Sequence, residues 1–300
     1  MTAFRLSEIL ILSTSLTISA CAADPSADDE LVSTSDVSDV HVLPLRTTTK
    51  VVEVAPPGAH LTFFGGPLLT PIHVAPLYWN SATQFQATLN PFYNDVPNSP
   101  LYTMLAQYGI AHGNGQAGFL DTRATANVTD AQVQAEVLAQ INAGHLPPPS
   151  ALAATSPGPY YPVHFPPGMT ITGPGGVGTS CVQFCAYHGT FRVQNGAGTQ
   201  FNINYGVIPD QGGGCAGGCG ANPSRVNNLT SVSSHELVEA TTDPAVGLAT
   251  VIGPPLGWYD PTNGEIGDIC NAQQGTTVGN GHAYVVQLEF SNAANACVDH

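Results

Sequence analysis

The sequence predicts an α/β (α+β) fold: a single domain with a mixed sheet, stapled by disulfides. Three observations carry this expectation. Segments with helical spacing of apolar residues alternate with short strand-like runs, and no internal repeat interrupts the order. Six cysteines lie beyond residue 180, an even number that suits pairing. One helical segment, residues 233–240, gathers ionisable side chains in a chain whose charged residues are only 9% of the total.

The N-terminus sets the compartment. Arg5 gives a positive start, residues 9–18 form an apolar run broken only by Ser and Thr, and Ile18-Ser19-Ala20 places small residues before Cys21. This is the layout of a signal peptide over residues 1–20. Its end resembles a bacterial lipobox, in which Cys21 becomes the lipidated first residue. The run is too short to span a bilayer by itself. Residues 21–57 then read as an acidic flexible tether, with Asp28, Asp29, Glu30, Asp36 and Asp39 among Ser, Thr and Ala. The folded domain is expected over residues 58–300.

Within that domain, residues 72–79 have strand composition, with Pro76 arguing for an edge or a bulge. Residues 99–110 predict a helix with Pro100 at its first position and Leu101, Met104, Leu105 and Tyr108 on one face. A second helix starts at Thr129 as cap, shows Val133, Val137, Leu138 and Ile141 on one side, and stops before Pro147-Pro148-Pro149. Strands are expected over 160–165, 186–193, 201–208 and 282–290. The Gly-rich stretches 173–178 and 212–220 read as loops. Neither ends in the Lys-Ser/Thr of a phosphate loop.

Charge excludes one class of partner. Six Lys and Arg face 21 Asp and Glu, a net charge of −15, and beyond residue 55 only Arg123, Arg192 and Arg225 are basic apart from histidines. Nucleic-acid binding needs clustered cations, so it is not expected. Membrane attachment is expected through the lipid alone. The even cysteine count in an exported chain favours disulfides, and spacing suggests Cys181–Cys185, Cys215–Cys219 and Cys270–Cys297, although six cysteines admit many pairings. A four-thiolate zinc site from the first two pairs is the rival that oxidising surroundings disfavour.

The chemistry concentrates in His235-Glu236-Leu237-Val238-Glu239. A helix capped near Asn228 and ending before Pro244 would put His235 and Glu239 on one face. This is the logic of the H-E-x-x-H zinc helix with Glu in place of the second His. The residues at i and i+4 hold the metal, and Glu236 acts as general base toward water. The downstream segment 258–270 supplies the third ligand, Glu265, with Asp268 behind it. This assignment follows the analogy with gluzincin peptidases, and the reverse one is the alternative. His188 and Asp260 are alternative ligands, and His282 is a weaker one. One imidazole with two carboxylates is a harder, more anionic set than catalytic zinc usually has, so another divalent cation is also compatible. The same acids also suit a glycosidase pair.

The order of motifs resembles the EXORDIUM-like, or phosphate-induced protein 1, family. The resemblance rests on Gly65-Gly66-Pro67-Leu68-Leu69-Thr70, the run 74–79, and the block Cys181 to Gly189. It continues through Cys215-Ala216-Gly217-Gly218-Cys219, the HELVEATTDP stretch and Glu265 to Cys270. It covers roughly residues 60–297 in order. It implies a secreted protein and leaves the reaction open. The resulting expectation is an extracytoplasmic, lipid-anchored, zinc-dependent hydrolase of the peptidase type with a zincin-like helix. The alternative is a non-catalytic surface protein that binds wall polymers or a protein partner through aromatics near Trp79 and Trp258.

Overall fold

The computed structural model describes residues 29–34, 40–45, 55–151 and 158–300. The signal peptide and the lipidation of Cys21 lie outside them. In chain order the elements that position the site begin with Leu31–Ser33 (β1) and Val40–Pro44 (β2). His73–Val74 (β3), Leu77–Tyr78 (β4), Gln86–Asp95 (α1), Pro100–Met104 (α2) and Asp130–Asn142 (α3) follow. Then come Tyr160–His164 (β5), Phe184–Asn195 (β6), Gln200–Ile208 (β7) and Arg225–Thr242 (α4). The chain finishes with Gln274–Gly279 (β8), His282–Gln287 (β9), Glu289–Ser291 (β10) and Ala296–Val298 (β11).

One nine-stranded mixed sheet organises these pieces. β1 and β2 lie end to end along the outer edge of β6, both antiparallel to it. β7 pairs with β6 antiparallel and with β5 in parallel. β3 and β4 then add to β5 in parallel, followed by the short strands Asn114–Gly115 and Phe119–Leu120. Both sheet faces are covered, so the central strands are buried nearly throughout, as expected for strands between two layers. One face carries Tyr161, Val163, Tyr187, Phe191 and Val207 against Val133 and Val137 of α3. The other carries Tyr160, Ala186 and Ile208 against Leu229, Val232 and Leu237 of α4, with Leu101 and Leu105 beyond.

Several expectations change in physically instructive ways. The segment read as a flexible tether is in part structured: β1 and β2 belong to the sheet. Leu31 and Leu43 are buried in its two faces, and the open edge of β6 supplies backbone partners that a spacer would lack. The strand at 72–79 is divided into β3 and β4, with Ala75 and Pro76 between them. α1 was not anticipated, because Pro91 and a mixture of Asn, Tyr and Phe obscure its period. The helix at 99–110 is α2 continued by a 3₁₀ turn, Leu105–Tyr108, that ends at Gly109 with φ 80°. α3 is capped by Thr129 with Gln132 completing a capping box. The terminal strand is two strands, β9 and β10, pairing with different partners.

Three disulfides cross-link the chain, which marks it for an oxidising, extracytoplasmic environment. Only Cys270–Cys297 follows the expected pairing. The other two are Cys181–Cys215 and Cys185–Cys219, so neither C-x-x-x-C segment closes on itself. The entry to β6 and the Gly-rich loop before α4 run side by side, and each cysteine meets its counterpart across that seam. Trp79 is also corrected: at 4% exposure, with Nε1 donating to the Ala124 carbonyl, it offers no stacking surface. Trp258 is half-buried between Phe63 and Tyr108. Among the described residues no helix is long and apolar enough to cross a membrane.

Candidate metal centre

α4 is a core helix. From Asn228 to Thr242 every residue is buried, because one side faces the sheet and the other the β8–β9 hairpin. Its cap position is Ser224. Asn228 lies inside the first turns and braces the preceding loop, accepting from the Asn222 N–H and donating to its carbonyl. The helix ends at Thr242, ahead of Pro244, as the proline requires. Burying His235, Glu236 and Glu239 at 0% exposure on such a helix is costly unless their charges are compensated.

Polar groups reach them from three directions. Within the helix, His235 Nε2 lies 3.0 Å from Glu239 Oε2. From the sheet, β6 contributes His188, whose Nδ1 stands 3.2 Å from Glu236 Oε2 and 3.6 Å from Glu239 Oε2. From the loop after α4 come Glu265 and Asp268. Glu239 Oε1 accepts from the Asp268 backbone N–H at 3.1 Å, and Asp268 Oδ2 accepts from the Glu265 N–H at 3.1 Å. This loop lies directly on the helix because residue 267 is glycine. A Cβ there would fall 2.4 Å from His235 Nδ1. Cys270–Cys297 holds the end of the same loop.

β2 brings a residue that sequence reasoning assigned to the tether. His41 Nδ1 is 2.8 Å from Glu265 Oε2, and its Nε2 is 3.2 Å from Asp268 Oδ2. The signal for it was present in Val40-His41-Val42-Leu43, a short β-branched apolar run inside an acidic, polar stretch. Gln287 was also missed. Its Nε2 donates to the Gly267 carbonyl at 2.8 Å and stands 2.7 Å from His235 Nδ1.

Three sets of potential ligand atoms assemble around one shared residue, Glu239. They are His41 with Glu265, His188 with Glu236, and His235 with Asp268. The expected trio of His235, Glu239 and Glu265 is therefore divided between two of these sets. Asp260 joins none. Its oxygens accept from the His60, Thr262 and Asn263 backbone and from Asn263 Nδ2, which shapes the turn before Glu265. His282 also lies apart, with Nδ1 2.7 Å from Asp95 Oδ2.

The arrangement is short of positive charge. Glu236 and Glu265 are pushed well above the usual carboxylate range by burial and by the neighbouring Glu239. The same causes raise Asp268 to about 6. Burial would also raise Glu239, but His235 and His41 outweigh it and hold this carboxyl low. Burial depresses His188 to about 3. Several buried atoms in the cluster have no hydrogen bond: His41 Nδ1, His188 Nε2, His235 Nε2, Glu236 Oε1, Glu239 Oε2 and both oxygens of Glu265. The close approach of His41 to Glu265 is off the N–H direction. Buried carboxyl oxygens and ring nitrogens that face one another without hydrogen-bond partners suit a cation.

Spacing supports the same fit. Two ligand atoms about 2.1 Å from a tetrahedral zinc stand about 3.4 Å apart. His188 Nε2 and Glu265 Oε1 are 3.6 Å apart. On the solvent side, a cavity of about 390 Å³ adjoins His41, walled by Val246, Val251, Ile252, Leu256 and Tyr259.

No protein family, curated protein or solved structure matches this chain.

Proposed function

We propose that this chain is an extracytoplasmic hydrolase, anchored through Cys21 and dependent on a divalent cation, zinc by ligand type, with peptide bonds as its substrate. One observation carries the reading. Three imidazoles and three further carboxyls from a helix, a sheet strand, an edge strand and a loop converge on Glu239, and buried atoms of His41, His188, His235, Glu236, Glu239 and Glu265 among them have no hydrogen-bond partner. His235, Glu239 and Glu265 would hold the cation, with His188 as the second imidazole and Asp268 supporting them. A bound cation of this kind polarises a carbonyl and acidifies water.

The chain's own residues perform the remaining work. Glu236 presents Oε1, buried and unpartnered, as the atom that takes and returns a proton. His188 at its Oε2 fixes the carboxyl's orientation. When His188 Nδ1–H donates to Glu236, the lone pair on Nε2 faces Glu265 and is available as a ligand. For His235 the ligand tautomer needs an acceptor at Nδ1, where Gln287 now offers an N–H. The cluster is buried except at its margin, where the His41 and Asp268 side chains are 24% and 14% exposed. The motif order also supports our proposal that the chain is a bacterial-type relative of the EXORDIUM-like proteins.

The test is elemental analysis of the purified chain, followed by peptide-library hydrolysis with wild type and Glu236→Gln. Near-stoichiometric zinc in both, with hydrolysis lost only in the variant, is the expected result. A metal-free protein, or full activity in Glu236→Gln, overturns the reading.

A further inference from the structure

The edge of the sheet beside the metal centre is covered by this chain's own N-terminal strand. β2 runs antiparallel to β6 in the register Leu43 with Ala186, Val42 with Tyr187, His41 with His188 and Val40 with Gly189. The backbone that it covers therefore includes His188, a residue of the site. β2 is attached by side chains on both faces. Leu43 enters the α4 side of the core, and Val40 and Val42 pack against the other side. Val40 sits directly on Gly189, where a Cβ would approach Val40 Cγ1 to 2.8 Å.

His41 is the outer layer of the cluster. Its side chain is 24% exposed, whereas Glu239 and Glu265 beneath it are at 0%. Beside it lies the cavity of about 390 Å³, walled by Val40 and His41 of β2 itself and by Val246, Leu256, Val251 at 71% and Ile252 at 53% exposure. A strand edge, an acidic cluster and an apolar recess are thus side by side, and one short segment of six described residues closes the first two.

We propose that the outer edge of β6 is a binding edge for an extended peptide, and that β2 is its built-in occupant. This inference rests on the peptidase reading and specifies its substrate. The incoming chain adds as an antiparallel strand in place of β2, removes His41 from Glu265 and Asp268, and takes the place of Val40 and His41 in the wall of the recess, with an apolar side chain against Val246, Val251, Ile252 and Leu256. Strand addition supplies main-chain hydrogen bonds irrespective of sequence, and the recess supplies the preference. An internal competitor lowers the apparent affinity for a peptide in proportion to the fraction of time the edge is free.

The experiment uses the full chain and a fluorescent peptide with the sequence of residues 39–45. Binding is read by anisotropy for wild type, for Leu43→Asp, and for a chain carrying an inserted protease site after residue 48 that is cut in the folded state. Freeing β2 should raise affinity by about tenfold or more over wild type, and an alanine in place of the peptide's histidine should reduce it again. Circular dichroism selects which of the two freed forms is folded, and the cut chain serves if Leu43→Asp is not. Equal, weak binding by the folded freed form and by wild type overturns the inference. Zinc content is measured on the same samples. Peptide binding without zinc supports the edge and removes the metal reading, whereas zinc without peptide binding removes the edge alone.

Discussion

His188 on β6 stands 3.2 Å from Glu236 on α4, with its other nitrogen turned toward Glu265. This contact crosses the boundary between sheet and helix and connects the residue that our proposal gives the proton transfer with the one it gives as second imidazole ligand. Replacing His188 by Ala removes a ligand lone pair and leaves Glu236 Oε2 without its donor. We expect zinc affinity to fall by about tenfold or more, measured by competition with a chromophoric chelator. An unchanged affinity would assign His188 to packing.

How much of this site was legible in the sequence follows from the range of each interaction. The H-E-x-x-E spacing reports on a single helix, so His235, Glu236 and Glu239 could be grouped by local periodicity. Glu265 and Asp268 were reachable because a nearby cysteine tied their segment down. His41 was not, because nearly 150 residues separate it from His188 and only the β6 edge joins them. The first two disulfides escaped for the same reason: pairing across two loops depends on how those loops lie together, which spacing does not encode.

Gln287 decides which nitrogen of His235 carries the proton. Its amide is oriented by the Gly267 carbonyl on one side and the Ala272 N–H on the other, so an N–H faces His235 Nδ1. That arrangement keeps the imidazole proton on Nε2, toward Glu239. Gln287→Glu replaces the donor by an acceptor and favours the tautomer with a bare Nε2. Zinc affinity should rise by up to about tenfold, with a lower melting temperature in the metal-free protein, both read by calorimetry. Weaker zinc binding in this variant would exclude His235 as a ligand through Nε2.

A second buried carboxylate has a structural task. Asp95, at the end of α1, accepts from Asn280 Nδ2, Tyr284 Oη and His282, and so clamps the β8–β9 hairpin that lies over α4. Burial would raise its pKa, but these hydrogen bonds outweigh burial and hold it below the usual value. A carboxyl with a lowered folded pKa contributes its full stabilisation above the unfolded value of about 4 and loses it as pH falls through the folded value. Asp95→Asn should cost about 1–3 kcal/mol at neutral pH. Denaturation midpoints of wild type and variant should converge in acid, and a constant difference down to pH 2 would contradict the assignment.

The paired disulfides predict a non-additive response. Cys181–Cys215 and Cys185–Cys219 each span 34 residues and join the same two segments. Once either forms, the loop that the other must close is already short, so a single removal releases little chain entropy. Cys181→Ala with Cys215→Ala, or Cys185→Ala with Cys219→Ala, should therefore each cost less than the roughly 3–4 kcal/mol that an isolated loop of this size implies. Removing all four cysteines should exceed the sum of the two, because only then is the loop before α4 freed from the entry to β6. Urea denaturation of the three variants measures this directly. Additive losses would mean that each bridge acts through local packing, Cys185 in the core beside Ala186 and Cys181 at its margin, and not through a shared constraint on the unfolded chain.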